Sequence, residues 1–462
     1  MVASETSTPV HPGWPVVGNT LEFARNPLAM FSRLSQQYER VVRIAIGGRK
    51  QFVALRPEDV KYVFQENNRN YVRSPAFLIL KRFLGEGLLT SDGDFWRRQR
   101  RLAQPAFHRQ KLAMLAQTMV EEAVGWVDEL RVGVEANPGG PVNVSQSLMD
   151  VTMRIVCKTL FGTEYTTVSG TGRTEGLSHS LETLNYLANQ MLLTPVKVPR
   201  SWPTPNNVRF RKASALVDTL IYGFIATRRQ TGESRDDLLD MLLHAVDEET
   251  GAVMSDTQLR DECVTLFTAG HETTAVSMAW TLSLLATHPD IQARVQTEIR
   301  EKLGTDRVPG ADAFRSLTYT LQVIQESLRL YPPAWAMSRM AVTDDQLGPH
   351  RVPAGATVLV SPYVLHRDPR HWDNPDRFDP DRFAAGREKE RHPYAYLPFG
   401  GGPRLCIGNQ FALMEMQILL GLLLRDFTLQ RPETPPVPQP LITLRPKKPL
   451  HLVMQRNTNW FS

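Results

Sequence analysis

Cys406 closes the run Phe399-Gly-Gly-Gly-Pro-Arg-Leu-Cys-Ile-Gly408. Three successive glycines and a proline let a backbone turn sharply and approach a flat ligand closely. The spacing of Phe411, Leu413, Met414, Ile418 and Leu419 predicts a helix that starts within a few residues of the thiol. A cysteine at that place faces free N–H groups and the positive end of the helix dipole, and Arg404 adds a cation; both favour the thiolate. This local pattern predicts an activated thiolate and leaves open what it binds. Cys157 and Cys263 have no such setting and read as small core hydrophobes. No two cysteines are close enough in sequence for a zinc-type pair, and so sparse a count fits a reducing compartment.

A second constellation, Ala269-Gly270-His271-Glu272-Thr273-Thr274, lies inside a long helical run. Ser255 and Gln258 form a capping box, and nothing forces a stop before Pro289. That is about 32 residues, or roughly 48 Å at ~1.5 Å per residue. Few charges between Val264 and Leu285 predict burial along its length. A mid-helix glycine costs ~1 kcal/mol relative to alanine. Beside a buried acid it reads either as a place where backbone opens for a ligand, or as local packing with hydroxyls bonded to the previous turn. Further on, Glu326 and Arg329 are three apart and share a helix face.

The elements that must position these groups are mainly α with a small β part. Asn26-Pro27 caps a helix, Val41–Ile46 and Gln51–Leu55 form a hairpin round Gly47-Gly48, and Pro57 opens another helix. Helical patterns follow from Asp92 to about Leu130 with a break at Pro105, then over Val142–Leu160, Leu177–Leu193 and Val208–Gln230. The stretch Thr194–Asn207 is a proline-rich loop. Short β-like pieces, Thr357–Pro362, Phe427–Arg431 and Pro449–Met454, crowd the C-terminal third. The 462 residues carry a net charge of +5, a mild imbalance, and are 42% hydrophobic, ordinary for a soluble globular protein. No signal peptide and no apolar run of ~18 residues is present, so a cytoplasmic protein without a membrane span is expected. The basic run Arg97, Arg98, Arg100 and Arg101 is either an anion-binding face or a solvated helix side.

Phe399, Gly402, Arg404, Cys406 and Gly408 match in order and spacing the cysteine loop of the cytochrome P450 family, the haem-thiolate monooxygenases. Other segments resemble that family in the expected order. Glu326-Ser-Leu-Arg329 looks like its Glu-x-x-Arg helix. Phe378-Asp-Pro-Asp-Arg382-Phe383 looks like the segment whose arginine completes a structural triad, with Arg377 a rival of poorer spacing. Ala269 to Thr274 looks like the oxygen-binding groove, and Trp96-x-x-x-Arg100 like a pair that binds a haem propionate, with Arg339 and Arg404 as further candidates. The resemblance covers nearly the whole chain. It implies one domain over 1–462, with 1–20 a Pro/Gly-rich lead-in that has no membrane anchor.

The resemblance also implies the chemistry. Cys406 would ligate the iron of haem b, the metal site. Phe399, Gly408, Ala269 and Gly270 would border that cofactor, while Glu272 and Thr273 would deliver protons to bound oxygen. Electrons would come from NAD(P)H through a separate ferredoxin or flavodoxin and its reductase, docked on Arg97, Arg98, Arg101, Arg109 and Lys111. A monomer with no nucleic-acid partner is expected. Apolar Phe77, Leu78, Leu80, Phe83, Phe267, Ala334 and Trp335 would line the pocket for a hydrophobic substrate. A long-chain fatty acid is the first expectation; a terpenoid, carotenoid or steroid is the alternative. A haem-binding sensor is the non-enzymatic alternative, and it would have no use for Glu272 and Thr273.

Overall fold

The computed structural model describes residues 7–163, 176–193, 199, 201–304, 306–432 and 434–457; the other ends of the expected domain, and 194–198 and 200 of the expected loop, lie outside the described residues. Its axis is the helix Asp256–Thr287, 32 residues long. The capping box is made in both directions: Gln258 N–H donates to Ser255 Oγ (3.3 Å) and Ser255 N–H to Gln258 Oε1 (2.8 Å). Helices Val144–Phe161, Pro205–Thr231, Thr318–Leu330 and Asn409–Asp426 pack round it and bury most of its faces. Gly270 admits the first of these, since a Cβ there would stand 3.1 Å from Val156 Cγ2.

The fold is mainly helical with a small β part, as expected, and the differences are local. The helix expected from Val142 starts at Val144, because Pro141–Asn143 is a strand paired with His451–Arg456. The helix expected from Val208 starts at Pro205, capped by Thr204. The hairpin Val41–Ile46/Arg49–Ala54 is extended in parallel by Thr357–Val360, then antiparallel by Met337–Ala341 and Tyr71–Arg73. That last pairing sets Arg73 directly across from Arg339. No helix among the described residues is long and apolar enough to cross a membrane.

One buried pair organises the irregular chain that leads to Cys406. Arg329 and Glu326 are both fully buried. Arg329 donates from Nε and Nη2 to the two Glu326 oxygens (2.6 and 2.8 Å). Its remaining N–H groups reach the carbonyls of His366 (2.7 Å), Pro375 (2.6 Å) and Arg377 (3.1 Å). Glu326 Oε1 also accepts from Asp379 N–H (2.9 Å), and Arg382 Nε lies 3.4 Å from it. Of the two repeated arginines, Arg382 therefore brings its charge to the pair, and Arg377 contributes only a carbonyl. His366 carries the tie onward: Nδ1 meets Arg329 O (3.0 Å) and Nε2 accepts from Leu397 N–H (2.7 Å), two residues before Phe399. Burial pushes this imidazole down to about 3, so it stays neutral.

Arg329→Lys keeps the charge but loses the fork, and is expected to lower the unfolding free energy by about 3–5 kcal/mol in denaturant titration. Arg377→Ala, which leaves its carbonyl in place, is expected to change it by no more than about 0.5 kcal/mol. Acid should weaken the fold through His366. The unfolded imidazole takes a proton near 6.5 while the folded one resists until about 3. Stability is thus lost as pH falls below 6.5, by up to about 1.4 kcal/mol per pH unit, and His366→Gln should flatten that limb of a stability–pH curve.

Candidate active site

The glycine loop is held shut by Cys406 N–H donating to Phe399 O (3.0 Å). Gly402 has φ +65°, and a Cβ on it would fall 2.0 Å from Phe64 O, so only glycine lets the loop rest on the turn Tyr62–Glu66. Cys406 is thereby set just ahead of helix Asn409–Asp426, in the wall of a cleft of about 160 Å³ shared with Arg100, Gln104, His108 and Leu405. Cys406 is exposed to the cleft, and desolvation by the loop packed round it pushes the thiol up, against the Gly408 N–H and the charge of Arg100. Arg404, the cation expected beside the thiol, points elsewhere: it donates to Ser91 O (3.0 Å), pairs with Asp92, and lies over the Trp96 ring at 4.2 Å. Arg100 takes that place, its Nη1 donating to Leu405 O (3.0 Å).

Arg404 instead joins Arg339 and Arg73, a residue the motif comparison had not singled out. Burial and mutual repulsion hold Arg73 well below its ordinary value, and Arg339 down to about 10; Asp92 is the counter-charge. Arg73 Nε and Arg404 Nη1 have no acceptor. Buried donors left unpaired are costly, and clustered cations call for anions. The two carboxylates of a haem would satisfy both needs, so the residues present fit that cofactor.

On the central helix, hydroxyls bond back to the preceding turn: Thr273 to Ala269 O (2.6 Å), Thr274 to Gly270 O (3.0 Å), Ser277 to Thr273 O (2.7 Å) and Thr281 to Ser277 O (2.8 Å). Such bonds loosen and bend a helix. Ala269 is exposed in mid-helix, whereas the missing Cβ of Gly270 faces Val156. Glu272 accepts from Asn185 Nδ2 (2.9 Å) on helix Leu177–Leu193 and from Thr443 Oγ1 (2.6 Å). In this arrangement Glu272 and Thr273 are each bonded elsewhere rather than to one another. Thr443 is brought there by two indoles: Trp280 Nε1 donates to Leu444 O and Trp335 Nε1 to Leu441 O, both at 2.8 Å. Neither Asn185 nor Thr443 lies in a motif, and both approach Glu272 only through the tertiary fold.

The apolar residues expected to line a pocket separate into two groups. Phe83, Phe267 and Trp335 are buried, against Phe210, Phe161 and Phe31 respectively. Leu78 and Ala334 are exposed, with Phe77 and Leu80 between these extremes. Among the expected docking cations, Arg101 is engaged by Asp247 (3.0 Å) and Glu249 (3.0 Å), and Arg97 pairs with Asp94. Arg109 and Lys111 are exposed near the Cys406 cleft, following its wall residues Gln104 and His108.

A family model for cytochrome P450 matches residues 8–454. Cyclooctatin synthase of Streptomyces melanosporofaciens is 34% identical over 95% of this chain and 92% of that protein. Pentalenene oxygenase of Streptomyces avermitilis is 33% identical over 96% of each chain. The crystal structure of the cytochrome P450DA haem domain superimposes with a TM-score of 0.88, at 27% identity over 99% of both chains.

Thr443→Val keeps the side-chain shape and deletes the hydroxyl that Glu272 accepts from. It is expected to cost about 1.5–3 kcal/mol in denaturant titration, as for a hydrogen bond to a charged group.

Proposed function

The chain belongs to the cytochrome P450 family, and we propose that it inserts one oxygen atom from O2 into a terpenoid, with electrons from a separate ferredoxin or flavodoxin and its reductase. The class is that of haem-b monooxygenases, which use O2 and NAD(P)H electrons relayed by partners; the sensor alternative does not describe that class. Two relatives are named for cyclooctatin and pentalenene, and these terpenoid skeletons favour the terpenoid alternative over the long-chain fatty acid expected first.

The observation that carries the site assignment is the buried arginine cluster beside the Cys406 loop, in which Arg73 Nε and Arg404 Nη1 find no acceptor. When bound, the haem iron supplies the oxygen activation and insertion chemistry, which a thiolate ligand favours. Cys406 would be that ligand, with Gly408 N–H and Arg100 favouring its ionised form. Trp96, Arg100, Arg339 and Arg404, joined by Arg73, would hold the carboxylates. Ala269 leaves room on the central helix, next to Gly270. Glu272 would relay a proton from water to Thr273 Oγ1 as that hydroxyl gives up its own, once Asn185 and Thr443 release the acid and Thr273 turns from Ala269 O. The reductant would dock over the Cys406 cleft on Arg98, Arg109 and Lys111; Arg101 is removed from that set by its acidic partners. The protein would act as a monomer of one domain.

The reduced, carbon monoxide-bound spectrum should show the band of thiolate ligation, and a haem-loaded sample without it would sink the Cys406 assignment. Cyclic sesquiterpenes and diterpenes should shift the ferric spin state at lower concentrations than long-chain fatty acids; the reverse order would restore the fatty acid. Thr273→Ala should yield roughly a hundredfold less product while NAD(P)H oxidation continues, measured as product per reductant. Arg109→Glu with Lys111→Glu should slow ferredoxin reduction at low salt and weaken its salt dependence.

A further inference from the structure

Glu415 lies in helix Asn409–Asp426, the helix that Cys406 precedes, and no part of it reaches solvent. Neither carboxyl oxygen receives a hydrogen bond. Burial pushes the group up to about 8, with Thr274 the polar neighbour acting the other way, so at neutral pH the acid keeps its proton. Thr274 stands on the central helix next to Thr273, and its own proton is committed to Gly270 O (3.0 Å). What Thr274 Oγ1 has left to offer is a lone pair, and what a neutral carboxyl has to offer is a donor.

We propose that Glu415 donates its carboxylic proton to Thr274 Oγ1 and so fixes the Thr274–Gly270 bond, which makes it a positioning residue for the turn that carries Glu272 and Thr273. The inference rests on reading that turn as the oxygen-handling groove. The chain of bonds would run from the helix behind the thiol, through Glu415 and Thr274, to the carbonyl of Gly270 that Thr274 already reaches. Without it Thr274 can swing its hydroxyl away, and the loosened turn aims the acid and alcohol less well. A buried acid with no other partner is a standing cost in stability, so its removal should separate stability from function.

The test compares haem-loaded Glu415→Gln, Glu415→Leu, Thr274→Val and the Leu/Val double variant. The readouts are thermal midpoint, unfolding free energy, and hydrogen peroxide released per NAD(P)H oxidised, which needs no organic substrate. Glu415→Leu is expected to keep or raise the midpoint yet leak several times more peroxide. Glu415→Gln, which retains a neutral donor, should restore tight coupling, and the double variant should match Thr274→Val alone. Additive effects in the double variant, or a Leu variant with unchanged leak and a normal thiolate band, would overturn the proposal. If Glu415→Leu does not fold, Glu415→Met takes its place. Should the unaltered protein lack the thiolate band, the groove assignment falls, while the stability cycle still decides whether Glu415 and Thr274 are bonded.

Discussion

The guanidinium of Arg329 has five N–H groups, and every one is taken inside the protein: two by Glu326 and three by carbonyls of His366, Pro375 and Arg377. The chain from His366 to Arg377 has little regular structure of its own, so its carbonyls must find donors elsewhere. A rigid, planar fork can hold several of them in fixed relation, which a lysine cannot. Because His366 also receives Leu397 N–H, the position of this one charge propagates to the residues just ahead of Phe399. The thiol is placed by a salt bridge it never touches. Other folds commonly place a ligand by packing alone; here a buried pair, costly to desolvate, is matched by a full set of hydrogen bonds.

Charge is distributed unevenly about the site. Arg73, Arg339 and Arg404 share one counter-charge, Asp92, while Glu415 and Glu262 are buried acids that burial pushes up to about 8. Unfavourable on stability grounds alone, such groups mark where a fold has been shaped for chemistry. The repeated side-chain bonds from Thr273, Thr274, Ser277 and Thr281 fit the same pattern, since they weaken the regularity of a helix that burial and a full capping box otherwise make strong.

What could be read from sequence was what sequence spacing encodes. The capping box and Pro289 gave the bounds of the central helix to within a residue or two, and the loop about Cys406 and the pairing of Glu326 with Arg329 are local in the chain. Interactions between distant segments were opaque. The register that sets Arg73 across from Arg339 depends on a strand pairing with no local signature. Arg101 looked like part of a free basic face until the fold brought Asp247 to it. Arg404 was the natural cation for Cys406 by proximity in sequence, but the loop turns it toward Asp92, and Arg100 arrives from another helix. Asn185 and Thr443 were missed for the same reason: an amide and a hydroxyl carry no motif, and their meaning comes from what they meet.

The segment 441–444 reaches Glu272 in a particular way. Its anchors, the indoles of Trp280 and Trp335, grip main-chain oxygens at Leu444 and Leu441, and Leu444 N–H in turn donates to Pro333 O. A grip on backbone is indifferent to side-chain identity. The strap that carries Ile442 and Thr443 would therefore stay in place when its side chains change, although losing the Thr443 hydroxyl still takes a partner from Glu272. The strap is thus a place where the group presented to Glu272 could be exchanged without undoing the anchors that hold it there.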